Sequence, residues 1–194
     1  MLHLESKKLY AQVVAEHKVS EGLFLNVLPH AIAERLKARP GVIADSFTEA
    51  TILFAGLHDF SRREIYSGFD AVVEKLGLEK IKTIGDACLI AAGVPLPRTD
   101  HAEAIAEAAL AFLQEIGRRE TPTGETLSLR IGIDTGLVVA GVIGKTKFSY
   151  DVWGETVNTG WHMEMYCAPG HIQGNENTHE RLCYRYLFEE RGDF

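Results

Sequence analysis

From residue 48 onward the sequence alternates in an order that few folds accommodate. A strand-like run is followed by a helical stretch, two strand-like runs about a tight turn, a second helical stretch and a further strand. EATILFA (49–55) is an apolar run of strand length. REIYSGFDAVVEKLG has helical periodicity and ends on Gly77, where a glycine closes a helix because it takes the left-handed conformation without steric cost. EKIKTI and ACLIAAG predict two short strands joined at Gly85-Asp86, a hairpin signal. TDHAEAIAEAALAFLQEIGRR predicts an alanine-rich amphipathic helix, with Asp100 and Glu103 spaced as a capping box. LSLRIGI and LVVAGVIG flank Asp134-Thr135-Gly136 and predict a second hairpin. FSYDVW reads as a strand, GETVNTGWHMEMYC as a helix, HIQGN as a short strand and THERL as a closing helix. The order βαββαβ implies an α+β fold, a ferredoxin-like sandwich with a mostly antiparallel sheet.

The segment before this alternation is of another kind. Residues 1 to about 20 are polar with scattered apolar positions and read as helix. Leu25, Leu28, Ile32 and Leu36 then recur at helical spacing, with Pro29 suited to a first helical turn. We expect residues 1–46 to be a helical, dimerising lead-in and residues 47–194 to be the functional domain.

Composition narrows the classes. Of 194 residues, 46% are hydrophobic, enough to fill a core, and the formal net charge is −7, which argues against a nucleic-acid surface. Cys88, Cys167 and Cys183 are far apart and form no CxxC pair, so neither a disulfide framework nor a zinc knuckle is suggested. A reducing cytoplasm is expected. No run of about 18 apolar residues and no signal-peptide pattern appears, so direct membrane insertion is not expected.

Individual motifs are weak when taken singly. Gly144-Lys145-Thr146 lacks the earlier glycine of a P-loop, since position 139 is Val, and no strand-to-helix turn precedes it. His58, His162 and His171 make no metal-binding spacing. Asp86 is explained equally by turn chemistry. Lys82 and Asp151 lie within strands, either facing solvent, pairing, or serving a site. Asn158 and His162 share one face of a helix, as any polar face would.

Together, however, LNVLPHAIAERLKARPGVIADSFTEATILFA, EKIKTIGDA and RIGIDTGLVVAGVIGKTKFSYDVWGETVN closely resemble the catalytic domain of class III adenylate and guanylate cyclases, in the family's order over roughly residues 23 to 190. The opening portion resembles the helical transducer segment of receptor-linked and bacterial cyclases, which implies an upstream sensor. The resemblance implies a palm-like fold and a head-to-tail homodimer with active sites between the subunits. The implied reaction is attack of the ribose 3′-hydroxyl on the α-phosphate of ATP, giving 3′,5′-cyclic AMP and pyrophosphate. The implied cofactors are two Mg²⁺ or Mn²⁺ ions on oxygen ligands.

The resemblance also assigns roles. Asp86 matches one of the family's two metal-binding aspartates. The other falls on Gly56, which has no side chain, so the backbone carbonyl of Leu57 is the nearest substitute. Asp59 lies three residues on, where the family usually has glycine. Weak metal binding and low activity are therefore expected. Lys82 and Asp151 match the adenine readers: a lysine donor and a carboxylate acceptor complement N1 and N6 of adenine, whereas guanylate cyclases have glutamate and cysteine there. Asn158 matches the ribose-orienting asparagine. Four residues on, His162 replaces an arginine that stabilises the transition state, and histidine is shorter and mostly neutral near pH 7. The connection FSRREIYSGFD is shorter than the family's, and the chain ends before the family's phosphate-binding lysine. The alternatives are a degenerate cyclase-homology domain acting as a nucleotide-binding or dimerising regulator, a heterodimer whose partner supplies the aspartate, and a guanylate cyclase.

Overall fold

The computed structural model describes residues 10, 12–18, 20, 22, 27–57, 64–117, 127–144 and 148–192. Residues 12–18 are helical, followed by α1 (His30–Ala38), β1 (Ile43–Leu57), α2 (Glu64–Lys75), β2 (Glu79–Ile84) and β3 (Ala87–Ala92). Then come α3 (His101–Gly117), β4 (Leu129–Ile143), β5 (Ser149–Trp153), α4 (Glu155–Met165), β6 (Ile172–Gly174) and α5 (Glu176–Leu182). The chain falls into two compact units, Met1–Ile43 with Val142–Tyr150, and Ala44–Gly141 with Asp151–Phe194. In the first unit Ile32, Ala33 and Leu36 bury one stripe of α1, and Pro29 stands at its N-cap, one position before the helix. Leu25 lies outside the described residues.

The expected α+β architecture is present. Six strands form one largely antiparallel sheet in the order β2-β3-β1-β4-β5, with β6 parallel to β4. The first four strands have the order that a βαββαβ unit produces when its two helices cross one face. β1 changes character along its length. Its first half is mixed, while Ala50–Leu57 is buried throughout, because the central strand is covered on both faces. On one face Leu53, Ala55 and Leu57 join Ile90, Leu129 and Ile131 and pack on α2 and α3. Phe69 of α2 stacks on Phe112 of α3 with ring centroids 4.1 Å apart.

On the opposite face Ile52 and Phe54 meet α4 at Gly160, where an added Cβ would lie 3.5 Å from each. Across the sheet, a Cβ at Gly132 of β4 would overlap the α4 backbone, reaching 2.7 Å from Glu164 Cα. The helix therefore lies flush on the strand. That seating aims the next turn of α4 at the end of β1.

Two local expectations are corrected. Asp134-Thr135-Gly136 is no hairpin: β4 runs unbroken from Leu129 to Ile143. Thr135 Oγ1 lies 2.9 Å from Thr51 Oγ1, which in turn lies 2.7 Å from His101 Nδ1, all three buried. Gly136 is required by the close approach of Thr156 Oγ1, 2.8 Å from an added Cβ, and by no turn. Asp100 and Glu103 do not act as a capping pair through their side chains. Arg98 donates to Asp100 at 2.7 and 2.8 Å and holds its carboxyl down at about 2, while Tyr184 donates to Glu103. By contrast Gly77, with φ +62°, and Gly85, with φ +61°, stand where glycine's freedom was called for.

Candidate active site

The β2–β3 hairpin brings its turn to the end of β1. Gly56 is in register with Ala87, and the Leu57 N–H donates to the Asp86 carbonyl at 3.1 Å. Asp86 and position 56 are thus neighbours, as two residues sharing one cation must be. Gly56 offers no ligand, and His58, Asp59 and the connection through residue 63 lie outside the described residues.

The space beside Gly56 holds a carboxylate that the sequence did not single out. Glu164, on the turn of α4 after Gly160, points at Gly56. A Cβ there would fall within the van der Waals sphere of Glu164 Oε1 and 2.9 Å from Cδ. Glu164 is 4% exposed. Burial raises its pKa, Arg130 pulls it down, and the Asp86 charge raises it again. Arg130 Nε of β4 lies 3.1 Å from Oε1, an ion-pair distance, yet the N–H is not aligned with it. Both atoms are buried without a hydrogen bond. Glu164 and Arg130 escaped the sequence reading because a glutamate two residues after His162 looks like ordinary helix polarity. The signal was register: Gly160 packs on Ile52 and Phe54, so one turn of helix and two residues of strand further on, Glu164 must meet Gly56.

A second cluster is complete in itself. Lys82 Nζ of β2 donates to Asp151 Oδ2 of β5 at 2.5 Å, and the Val152 N–H donates to Oδ1 at 2.9 Å. The Asp151 side chain is 11% exposed and that of Lys82 is 40% exposed. Of the open possibilities for this pair, pairing is observed. A buried carboxylate with a half-exposed ammonium presents an acceptor and a donor side by side, as an adenine edge requires.

Asn158 and His162 are exposed on α4 and one turn apart, with the Trp161 and His162 rings 5.2 Å apart between centroids. They lie on the solvent side of the helix that presents Glu164 inward.

Among the described residues no three His, Cys, Asp or Glu side chains gather to hold a metal. Asp86 offers a hard oxygen donor at the end of β1, of the kind Mg²⁺ takes, one or two at a time, together with substrate phosphates and water, while Glu164 stands beside Gly56 paired with Arg130. The residues present therefore fit a divalent cation that is completed by a phosphorylated ligand.

The comparisons agree with this reading of the fold. The adenylate and guanylate cyclase catalytic domain matches residues 42–194. An adenylate cyclase of Mycobacterium bovis is 40% identical over 203 residues, 97% of this chain and 46% of that protein. A membrane guanylyl cyclase of Dictyostelium discoideum is 34% identical over 193 residues, 92% of this chain and 13% of that protein. The crystal structure of the catalytic core of a rhodopsin-guanylyl cyclase with converted specificity, in complex with ATPalphaS, superposes with a TM-score of 0.69. It has 30% identity and covers 74% of this chain and 86% of that one. The chain belongs to the class III adenylate and guanylate cyclase catalytic-domain family. Domains of this family are nucleotidyl cyclases that bind nucleotide, work as dimers and generally use divalent metal ions. The chain spans less than half the length of the mycobacterial relatives it matches. The alignment with the first of them, at 203 positions, exceeds the 194 residues present, so that relative has residues without a counterpart here. Among the described residues no helix is long and apolar enough to cross a membrane.

Proposed function

We propose that this chain is an adenylate cyclase catalytic domain, residues 47–194, with a helical transducer over residues 1–46. It would form 3′,5′-cyclic AMP from ATP as a head-to-tail homodimer in the cytoplasm, downstream of a sensor. The observation that carries the choice of base is the Lys82–Asp151 pair. Guanine presents a donor at N1 and an acceptor at O6, so it meets both groups with the wrong polarity, and buried mismatches of that kind discriminate strongly.

In the reaction the ribose 3′-oxygen bonds to the α-phosphorus, the bond to the bridging oxygen breaks, and pyrophosphate leaves while the hydroxyl proton is lost. Asp86, with oxygens at the end of β1, is the place for the divalent cation, which when bound acidifies the hydroxyl and neutralises phosphate charge. Asn158 orients the ribose. His162 stands where an arginine would oppose the growing negative charge, and the loss of such a donor typically costs about a hundredfold. The homodimer reading has each site draw on both subunits.

A second reading, a nucleotide-binding regulator without turnover, is favoured by Gly56 and His162. Both are tested by product formation from ATP and from GTP with Mg²⁺ or Mn²⁺. The expected result is cyclic AMP, with cyclic GMP lower by about a hundredfold or more. Preferred use of GTP would overturn the adenine reading. ATP binding without product in either metal, and not restored by a partner chain, would establish the regulator.

A further inference from the structure

We infer that Ile81, the extra residue of a bulge in β2, is a positioning residue of the base site: the bulge aims Lys82 at Asp151 across the sheet. The inference rests on the adenine-reading role of that pair and concerns how the pair is assembled. Topology poses the problem. β2 and β5 are the two ends of the order β2-β3-β1-β4-β5. Neighbouring strands lie about 4.8 Å apart, so the four steps across a flat sheet would hold Lys82 and Asp151 roughly 19 Å apart. Lys82 Nζ nevertheless lies 2.5 Å from Asp151 Oδ2. The sheet must therefore curl until its outer strands approach one another, and the lysine must leave β2 on the concave side.

β2 meets both conditions through one residue. Lys80 stands opposite Ile90 and Lys82 opposite Leu89, so Ile81 has no counterpart on β3. In a regular strand residues 80 and 82 would point to one face. Here they part. Ile90 belongs to the core under α2 and α3, and on that face Lys80 donates to Asp70 of α2 at 2.5 Å. Leu89 is in register with Phe54, whose face meets α4 at Gly160, and Lys82 shares that face. The extra residue thus sends two lysines spaced for one face to opposite sides, each onto its own aspartate. A bulge also bends its strand and increases the local twist, which is the curl that the Lys82–Asp151 contact demands. Bend and facing depend on there being a residue at position 81, whichever side chain it carries.

The test deletes Ile81 from the full chain and compares the result with Ile81→Ala, which keeps the residue count. Deletion leaves a regular ladder, with Lys82 still opposite Leu89 but without the bend. The first readout needs no activity: a crystal structure of each variant. Lys82 Nζ and Asp151 Oδ2 should lie beyond hydrogen-bonding distance in the deletion and within it in Ile81→Ala. A pair that persists in the deletion would overturn the inference. The second readout is kcat/KM for ATP and for GTP. The ratio of the two should fall about tenfold or more in the deletion and change by less than about threefold in Ile81→Ala. Adding Lys82→Met to the deletion should lower ATP use no further. Equal loss with both nucleotides, or a Lys82→Met effect as large as in the unaltered chain, would make the bulge merely structural and overturn the inference. If the deletion fails to fold, an alanine inserted beside Ile81, which enlarges the bulge, carries the same expectations. If the unaltered chain turns over neither nucleotide, the cyclase reading falls, while the crystal structures still decide whether the bulge aims Lys82.

Discussion

Two carboxylate–cation pairs in this protein look alike on paper and differ in geometry. Asp151 has both oxygens engaged, one by Lys82 at 2.5 Å and one by the Val152 N–H at 2.9 Å. Glu164 has Arg130 at 3.1 Å, out of line, and each partner keeps a buried atom without a hydrogen bond. The first pair is finished within one chain and half open to solvent at its lysine. The second is almost sealed and unfinished. A finished pair can be read from outside as a fixed pattern of donor and acceptor. The proposed function rests on the first pair, to which base recognition is assigned.

The largest expected effect breaks the comparison at its finished end. Lys82→Glu combined with Asp151→Cys replaces donor and acceptor by acceptor and weak donor. The ratio of ATP to GTP turnover should fall about a hundredfold or more, since a buried mismatch leaves polar groups unpaired. Mn²⁺ binding should be unchanged, because neither residue faces the end of β1. Competing turnover of the two nucleotides measures the ratio. An unchanged ratio would remove Lys82 and Asp151 from the site, whatever the metal does.

The next prediction acts on the unfinished end alone. A methyl group at Gly132 would overlap the α4 backbone at Gly160 and Glu164, atoms that cannot swing aside as a flexible side chain can. Gly132→Ala should lift α4 from the sheet, cost about 3 kcal/mol in urea unfolding, and carry Glu164 away from Gly56. Gly56→Ala meets only the far end of the Glu164 side chain, which can rotate, so its stability cost should stay below about 1 kcal/mol. Equal costs at the two positions would mean that α4 is not seated by Gly132.

These elements also show what the sequence disclosed. The β2–β3 hairpin was legible because Gly85-Asp86 is a turn for a local reason, a positive φ that only glycine takes easily. Lys82 and Asp151 were singled out only through family resemblance, and the structure adds that they pair. β4 was misread because Asp134-Thr135-Gly136 has turn composition for non-local reasons. Thr135 serves Thr51, and Gly136 makes way for Thr156. Glu164 was missed for the same physical cause. Its meaning depends on the glycine opposite, 108 positions away in sequence, and no local pattern encodes that (164 less 56). The absent side chain at position 56 was visible. The one filling its place was not.

The smallest effect tests whether burial alone, without a cation or a metal, explains a carboxylate's behaviour. Asp134, in the middle of β4, is 3% exposed and has no basic partner among the described residues. Its Oδ1 accepts the Thr135 N–H at 2.6 Å, and Asn175 and Asn177 also donate to it, while Glu155 adds negative charge. Burial outweighs these donors and raises its pKa to about 6 from 3.8. Between about pH 4 and 6 the folded chain therefore keeps a proton that the unfolded chain has released. Stability contributed by this group falls as pH rises through that window and is level above it. Asp134→Asn cannot ionise and keeps one oxygen for the Thr135 N–H, so it should lack that fall. Relative to the unaltered chain it should gain about 1–2 kcal/mol in urea unfolding between pH 4 and pH 7. A difference that stays constant with pH would mean that Asn175 and Asn177 already hold Asp134 ionised. Donors alone could then satisfy a buried carboxylate here.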